Sequence, residues 1–423
     1  MKNMLMLIII VSISFAQNTI VLCEGNYGQG NAGIWEIQGT ESIIEWPGNP
    51  IGDTGQSMNI DEYYQTRLCV INNGSSTIEI YQFTYSYPNN IVNHVASVST
   101  NGSGPREMTH GYITNWNSLS ITQLDLYTYE LTEVYSCPGM PEDIVLHEGF
   151  LYVAYPMNAD WSTSNMVEKI NPETWEVVES YTVSDGPNLM LINDDKLYVS
   201  CVSYNADWST IPATSVIDLN TDEVINNNYG VNFSYGLDMT VIDGNVYRVY
   251  NGGIVQLDEN LNILPETQIG SLTGVYSMAS NNGYIYFGLT DYSAPDDVVV
   301  MNTDGEIINT FSVGAIPGSF AFRGLMVNIS DNIAYNFDLN PSYPNPFNPS
   351  TVISYELMTN SNVELDIFNT QGKLVESLIS STIKQNAGYY EVVWNASNYS
   401  SGNYFVKLNV DGKILTQKIT FIK

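Results

Sequence analysis

The chain has 423 residues, 45 acidic against 13 basic, and 44% of them are hydrophobic, so a formal charge of −32 coexists with enough apolar matter to bury cores in two or three domains. That charge excludes a nucleic-acid partner, because a phosphate backbone is repelled and no basic stripe offsets it. Only 14% of residues are charged, so Asn, Ser, Thr and the 30 Tyr supply most of the polar surface.

In chain order the first element is an export signal. Lys2 precedes the apolar run Met4 to Val11 and the small-x-small site Ser14-Phe15-Ala16 before Gln17, which predicts a secretory signal peptide over 1–16. Cys23 follows Leu22 and not a small residue closing the apolar run, so a lipoprotein is not expected. No later stretch reaches the roughly 18 apolar residues of a membrane helix, and no transmembrane segment is predicted.

Residues 17–335 carry a recurring unit. An apolar segment with a Gly or Pro lead-in appears at Gly55-Gln-Ser-Met58, Gly104-Pro-Arg-Glu-Met108, Met140-Pro-Glu-Asp-Ile144, Gly186-Pro-Asn-Leu-Met190, Gly236-Leu-Asp-Met239, Val275-Tyr-Ser-Met278 and Ile316-Pro-Gly-Ser-Phe320. Tyr-rich partner strands follow, such as Leu151-Tyr-Val and Leu197-Tyr-Val, and then Asx-rich turns such as Asn171-Pro-Glu-Thr174 and Asn302-Thr-Asp-Gly305. Seven units in this length average about 45 residues, the period of a four-stranded blade, so the fold class is all-β and this region is predicted to be a seven-bladed β-propeller. The N-terminal strands (19–23, 33–37, 42–46) have no inner strand and the last inner strand (319–322) has no following blade. The two ends are therefore expected to close one mixed blade, with 325–329 as a competing second strand.

A connector rich in proline and asparagine is predicted over 336–350, since its prolines remove donors and fix φ. The charge changes here: residues 17–335 hold six bases and 38 acids, residues 336–423 six lysines and seven acids. Over 351–423 short alternating strands (352–357, 363–368, 374–379, 389–394, 404–410, 415–422) separated by Gly or Asn turns predict a small Ig-like β-sandwich.

Chemistry is sparse. His94, His110 and His147 stand near no nucleophile motif, and no catalytic residue is assigned. Cys23, Cys69, Cys137 and Cys201 lack zinc spacing and read as buried thiols, a Cys23–Cys69 disulfide being the alternative. Asn302-Thr-Asp-Gly-Glu306 reads as a β-turn in preference to a calcium loop, and no metal site is assigned. In a propeller the lead-in loops and the loops between second and third strands share one face. Arg106, Glu107, Glu142, Asp143 and Asn188 from the former, with Tyr155, Asp160, Trp161, Tyr204, Asp207 and Trp208 from the latter, are therefore the candidate ligand-binding residues. Trp161 and Trp208 lie in two copies of Asn-Ala-Asp-Trp-Ser-Thr at blade spacing. Exposed tryptophan beside carboxylates suits a glycan or another flat ring; packing between blades is the competing reading. The expected function is a binding or interaction protein for a small molecule, glycan or surface protein. The alternatives are an enzyme on the same scaffold, of lyase or quinone-dependent dehydrogenase type, and a surface adhesive or structural protein.

Two resemblances extend these expectations. Tyr343-Pro344-Asn345-Pro346-Phe347-Asn348-Pro349, the strand and turn 366–375 with Gly372, Trp394-Asn395-Ala396, Gly402 and the terminal Lys423 look like the C-terminal sorting domain of type IX secretion substrates. That implies recognition by an outer-membrane translocon, export to the cell surface or beyond, and removal of the domain by a surface protease. The repeats resemble those of secreted seven-bladed propellers with YVTN-type repeats, and Cys23-Glu24-Gly25-Asn26-Tyr27-Gly28 is similar to the opening of a surface-propeller group in bacteria with that secretion system. Some of that wider group bind cobalamin, so a cobamide is the ligand this resemblance implies; calcium is suggested only by the turn at Asn302, and no cofactor is assigned.

Overall fold

A computed structural model of the chain describes residues 18–60, 67–84, 91–126, 128–231, 236–323, 337–340, 342–357, 361–369, 373–380, 384–386, 388–410 and 413–423. The signal peptide, the competing strand 325–329 and Gly372 lie outside them. Every regular element among the described residues is a β-strand. Two compact units divide the chain near residue 326.

The first unit is a seven-bladed β-propeller, each blade an antiparallel sheet built around a four-strand path. Blade I contains Pro317–Arg323, Asn18–Cys23, Gly33–Gln38 and Ser42–Glu45, from the inside outwards. The two ends of the propeller thus close one mixed blade as expected, with Asn18 paired to Arg323 and Cys23 to Pro317. Blades II (Gly55–Ile60 to Ile91–Ser99), III (Pro105–Thr109 to Leu131–Ser136), IV (Gly139–Met140 to Val177–Thr182), V (Pro187–Asn193 to Val224–Asn228), VI (Met239–Ile242 to Ile263–Ile269) and VII (Val275–Asn281 to Ile307–Val313) follow in chain order. Inner strands of neighbouring blades touch around the ring, the last touching the first, and between blades IV and V the contact is made by Phe150–Asn158 against Pro187–Asn193.

Because a blade is covered on both faces, its middle strands read as continuous apolar runs instead of alternating ones. Phe150–Asn158 is an example, with Leu151 to Tyr155 wholly buried. The core is accordingly distributed. Separate apolar clusters occupy the junctions, such as Val153, Leu151 and Ile121 between blades III and IV, or Phe287, Met278 and Val249 between VI and VII. Each such side chain contributes about 1.5–3 kcal/mol by leaving water. The centre of the ring is lined by polar and charged groups as well as apolar ones.

The second unit has two antiparallel sheets. One contains Phe337–Leu339, Ser350–Leu357 and Gly388–Asn395; the other contains Leu374–Ile379, Ser361–Asn369, Gly402–Val410 and Lys413–Phe421. Both close on one core that includes Tyr355, Leu365, Trp394 and Val406. The connector expected over 336–350 is instead part of this unit. Phe347 is buried against Trp394 and Phe421, its N–H donates to the Thr420 carbonyl, and Asn345 brackets the same strand by donating to the Lys418 carbonyl and accepting from the Thr420 N–H. The prolines interrupt pairing, while the residues between them supply the hydrogen bonds and the ring that dock the segment.

Candidate functional site

The inner strands of the propeller share one irregularity. In five of them one or two residues near the start slip out of register with the second strand: Gln56, the pair Arg106-Glu107, Asn188, Tyr276 and Gly318 in blades II, III, V, VII and I. In blade IV the strand is interrupted at Pro141 to Asp143, and in blade VI Leu237-Asp238 precede its first residue. Such bulges turn side chains that would lie against the sheet toward its edge, here the axis of the ring.

The result is a cavity of about 460 Å³ lined by residues from the start of all seven blades, with Glu24 from the loop after the second strand of blade I. That a loop after a second strand reaches the same cavity as the lead-in residues places both loop sets on one face, called upper below. Among the predicted residues, Arg106, Glu107, Glu142, Asp143 and Asn188 come together here. Gln56, Asp238 and Tyr276, at equivalent places in the repeat, were not singled out, nor was Glu24. Repeat position was the available signal for the first three, whereas Glu24 reaches the cavity only once the ring has closed. A larger depression of about 640 Å³ opens between Asn251-Gly252 and Ser271 to Val275, but no charged side chain lines it.

The cavity wall is held by bonds across the junctions. Ser57 donates to the Arg106 carbonyl (2.7 Å), Asp143 accepts the Met190 N–H (2.6 Å), Asp238 accepts the Met278 N–H (2.8 Å) and Ser277 donates to the Pro317 carbonyl (2.5 Å). Arg106 makes a fork to Glu142, with Nε at 3.0 and 3.1 Å and Nη2 at 2.6 Å, donates to Gln56 at 2.7 Å, and lies 4.5 Å from the Trp116 ring centre. Its charge is thereby already matched. The remaining acids are crowded in a low-dielectric space. Burial raises Glu24, Asp143 and Asp238 to about 7, and burial together with the neighbouring Asp143 and Glu142 carboxylates holds Glu107 well above the usual range. At neutral pH the cavity thus mixes protonated and ionised carboxyls. It offers many acceptors, some donors and little net attraction for an anion.

The other predicted residues divide. Tyr155 is not on the upper face: it is fully buried in the III–IV junction, donating to Glu168 at 2.8 Å. Its strand is apolar on both faces, so alternation gave no sign of which way the ring points. Trp161 and Trp208 occupy matching hairpin tips, 67% and 82% exposed, and so do not pack between blades. In each turn the aspartate takes the N–H and hydroxyl of the following serine, Asp160 with Ser162 and Asp207 with Ser209, and these bonds lower both carboxyls below their ordinary value. Tyr204 stands beside Trp208 with ring centres 6.5 Å apart. Both tryptophans are left-handed, φ 67° and 65°, a conformation costing a residue with a Cβ about 1–2 kcal/mol. None of these six residues lines the cavity.

His94 pairs through Nε2 with Glu79 at 2.8 Å. None of the four cysteines is in a disulfide, and all are buried in or beside strands, which favours the thiol reading. Asn302 closes a hairpin turn by accepting the Asp304 and Glu306 N–H groups.

Comparison with known proteins supports both units. A family model for the secretion system C-terminal sorting domain matches residues 342–423. No curated protein matches the chain. Among solved structures, a proposed 6-phosphogluconolactonase from Bacteroides fragilis aligns with 74% of this chain and 99% of its own at 13% identity and TM-score 0.52. Another from Bacteroides uniformis aligns with 72% and 99% at 12% identity and TM-score 0.50. The WD40 domain of Neurospora crassa Pan2 aligns with 72% and 97% at 10% identity and TM-score 0.45. At these identities the likeness of the two Bacteroides proteins speaks for the fold alone. The chain is therefore a seven-bladed β-propeller carrying a type IX secretion sorting domain, which marks it for export to the cell surface or the extracellular space.

Proposed function

We propose that the exported propeller is a binding protein whose ligand is a small molecule rich in hydrogen-bond donors, a polyol, sugar or amine, held in the upper mouth of the channel. The observation that carries this reading is the convergence of side chains from the start of every blade on one cavity of about 460 Å³, with Glu107 and Asn188 among the polar groups that line it. A phosphorylated or carboxylated ligand is disfavoured, because Arg106 is spent on Glu142 and Gln56 while the other ionisable groups around it are acids. Isothermal titration of the purified chain against sugars, polyols and diamines at pH 6 and 8 tests it. Binding by one class, weakened at least tenfold by Glu107→Ala or Asn188→Ala, is the expected result; heats absent for all three classes, or affinity unchanged in both variants, would refute it. Amines should bind more tightly at pH 8, where the acids near 7 are ionised.

A second reading, an enzyme of the lyase type, has one observation in its favour. Glu107 and Asp143 repel each other's charge, which leaves one able to give a proton while the other takes one. Conversion of a bound panel compound, abolished by Asp143→Asn, would move the protein to that class.

A further inference from the structure

Four exposed aromatic side chains stand at the same place in four blades. Tyr27, Trp161, Trp208 and Tyr292 each follow a second strand, in blades I, IV, V and VII, and are 86%, 67%, 82% and 65% exposed. By the topology of the blades, all four belong to the upper face. Three of them are held left-handed, Tyr292 at φ 67° like the two tryptophans, where Gly or Asn would be less strained. Elsewhere the same strain is offset by burial: Trp175, φ 59°, lies against Tyr112 and Tyr135, with ring centres 5.7 and 6.0 Å away. At the exposed tips the rings stay mostly in solvent, Trp208 beside Tyr204 at 6.5 Å and Tyr292 beside Tyr276 at 6.4 Å. The tips are nonetheless firmly built. Each tryptophan turn closes with a backbone bond, Trp161 N–H to Asn158 and Trp208 N–H to Asn205, and Asn26 ties the Tyr27 loop to the Tyr292 carbonyl at 3.0 Å.

We propose that this aromatic rim binds a neutral polysaccharide by stacking its sugar rings on several tips at once. Separate flat platforms spread around a rim match a repeating ligand better than a compact one, and each contact adds through effective concentration. The carboxylates of Asp160 and Asp207 sit beside their tryptophans as hydrogen-bond acceptors for sugar hydroxyls. A polyanionic glycan is repelled by a unit with 38 acids and six bases, and a lipid surface would have to bury those two carboxylates beside the rings. This inference does not depend on the channel ligand, since none of the four tips lines the cavity.

Native gels cast with β-glucan, xyloglucan, glucomannan or alginate, together with flotation on phosphatidylcholine and phosphatidylglycerol vesicles, test the inference. Retardation by at least one neutral polymer and not by alginate is expected, weakened at least tenfold in Trp161→Ala/Trp208→Ala and less in each single variant. Folding is controlled by Trp161→Gly/Trp208→Gly, which should lose the retardation while melting no lower than the wild type, because glycine accepts the same φ. Mobility unchanged in every neutral polymer, retardation that survives the double substitution, or binding to vesicles in its place would overturn the proposal.

Discussion

Asp143 and Asp238 each do two things with one carboxyl: they face the cavity, and they accept a backbone N–H from the next blade. The second role keeps them where burial is costly, and burial raises both to about 7. In an unfolded chain the same group titrates near 4, so the folded state binds the proton more tightly. Stability from such a group is full below about pH 4, falls as pH rises toward 7, and levels off above it. Asp238→Asn keeps an acceptor for the Met278 N–H and removes the titration. Urea unfolding at pH 5.5 and 8 should show the wild type losing about 2 kcal/mol more than the variant over that interval, one and a half pK steps of proton linkage. A difference of the same size at both pH values would mean that Asp238 titrates normally. Much of this was open to the sequence: Asp143 and Asp238 immediately precede Ile144 and Met239 in equivalent repeats. The raised pKa was not, because it arises from side chains that different blades bring to the axis.

At the scale of the element, the inner strand is a β-strand spoiled in one place, and the spoiled place is what makes the cavity. Blade V shows how narrowly this is specified. Gly186, φ +70°, donates to the Ser164 carbonyl and accepts from the Val202 N–H, and a Cβ there would stand 1.9 Å from the Val202 carbonyl oxygen. Gly186→Ala should destabilise the propeller by about 2–4 kcal/mol and shift Asn188 out of the cavity wall, read as a lowered melting temperature and weaker binding of any channel ligand. The blades themselves were legible, since Leu-Tyr-Val strands and Gly-Pro lead-ins recur at a period that only a repeat produces. What escaped sequence reading escaped for identifiable reasons. Tyr155 sits in a strand without alternation, and Asn345 and Phe347 sit between prolines that suggest an extended connector until their partners around Thr420 are seen.

For the whole molecule, nearly all the excess charge belongs to the propeller, whose six bases face 38 acids, and few of these are paired with opposite charges that would cancel them. Self-repulsion of this kind is screened over about 10 Å at 0.1 M salt. The first thermal transition of the full chain should therefore rise by several degrees between 10 mM and 500 mM NaCl, whereas the buried Arg106–Glu142 fork should be little affected. A flat salt response would indicate that the acids are too dispersed to repel.

Closure of the ring has a mechanical consequence. The strand that begins at Asn18 and the strand that ends at Arg323 run antiparallel, so the incoming and outgoing chain meet at the same end of the pair, on the lower face. Tension between those two points would peel their hydrogen bonds one after another, like a zip, instead of shearing them together. A propeller pulled by its own ends is therefore weak at its clasp. One gripped by ligands on its upper face and held only through Arg323 carries the load through its blades before it reaches that seam.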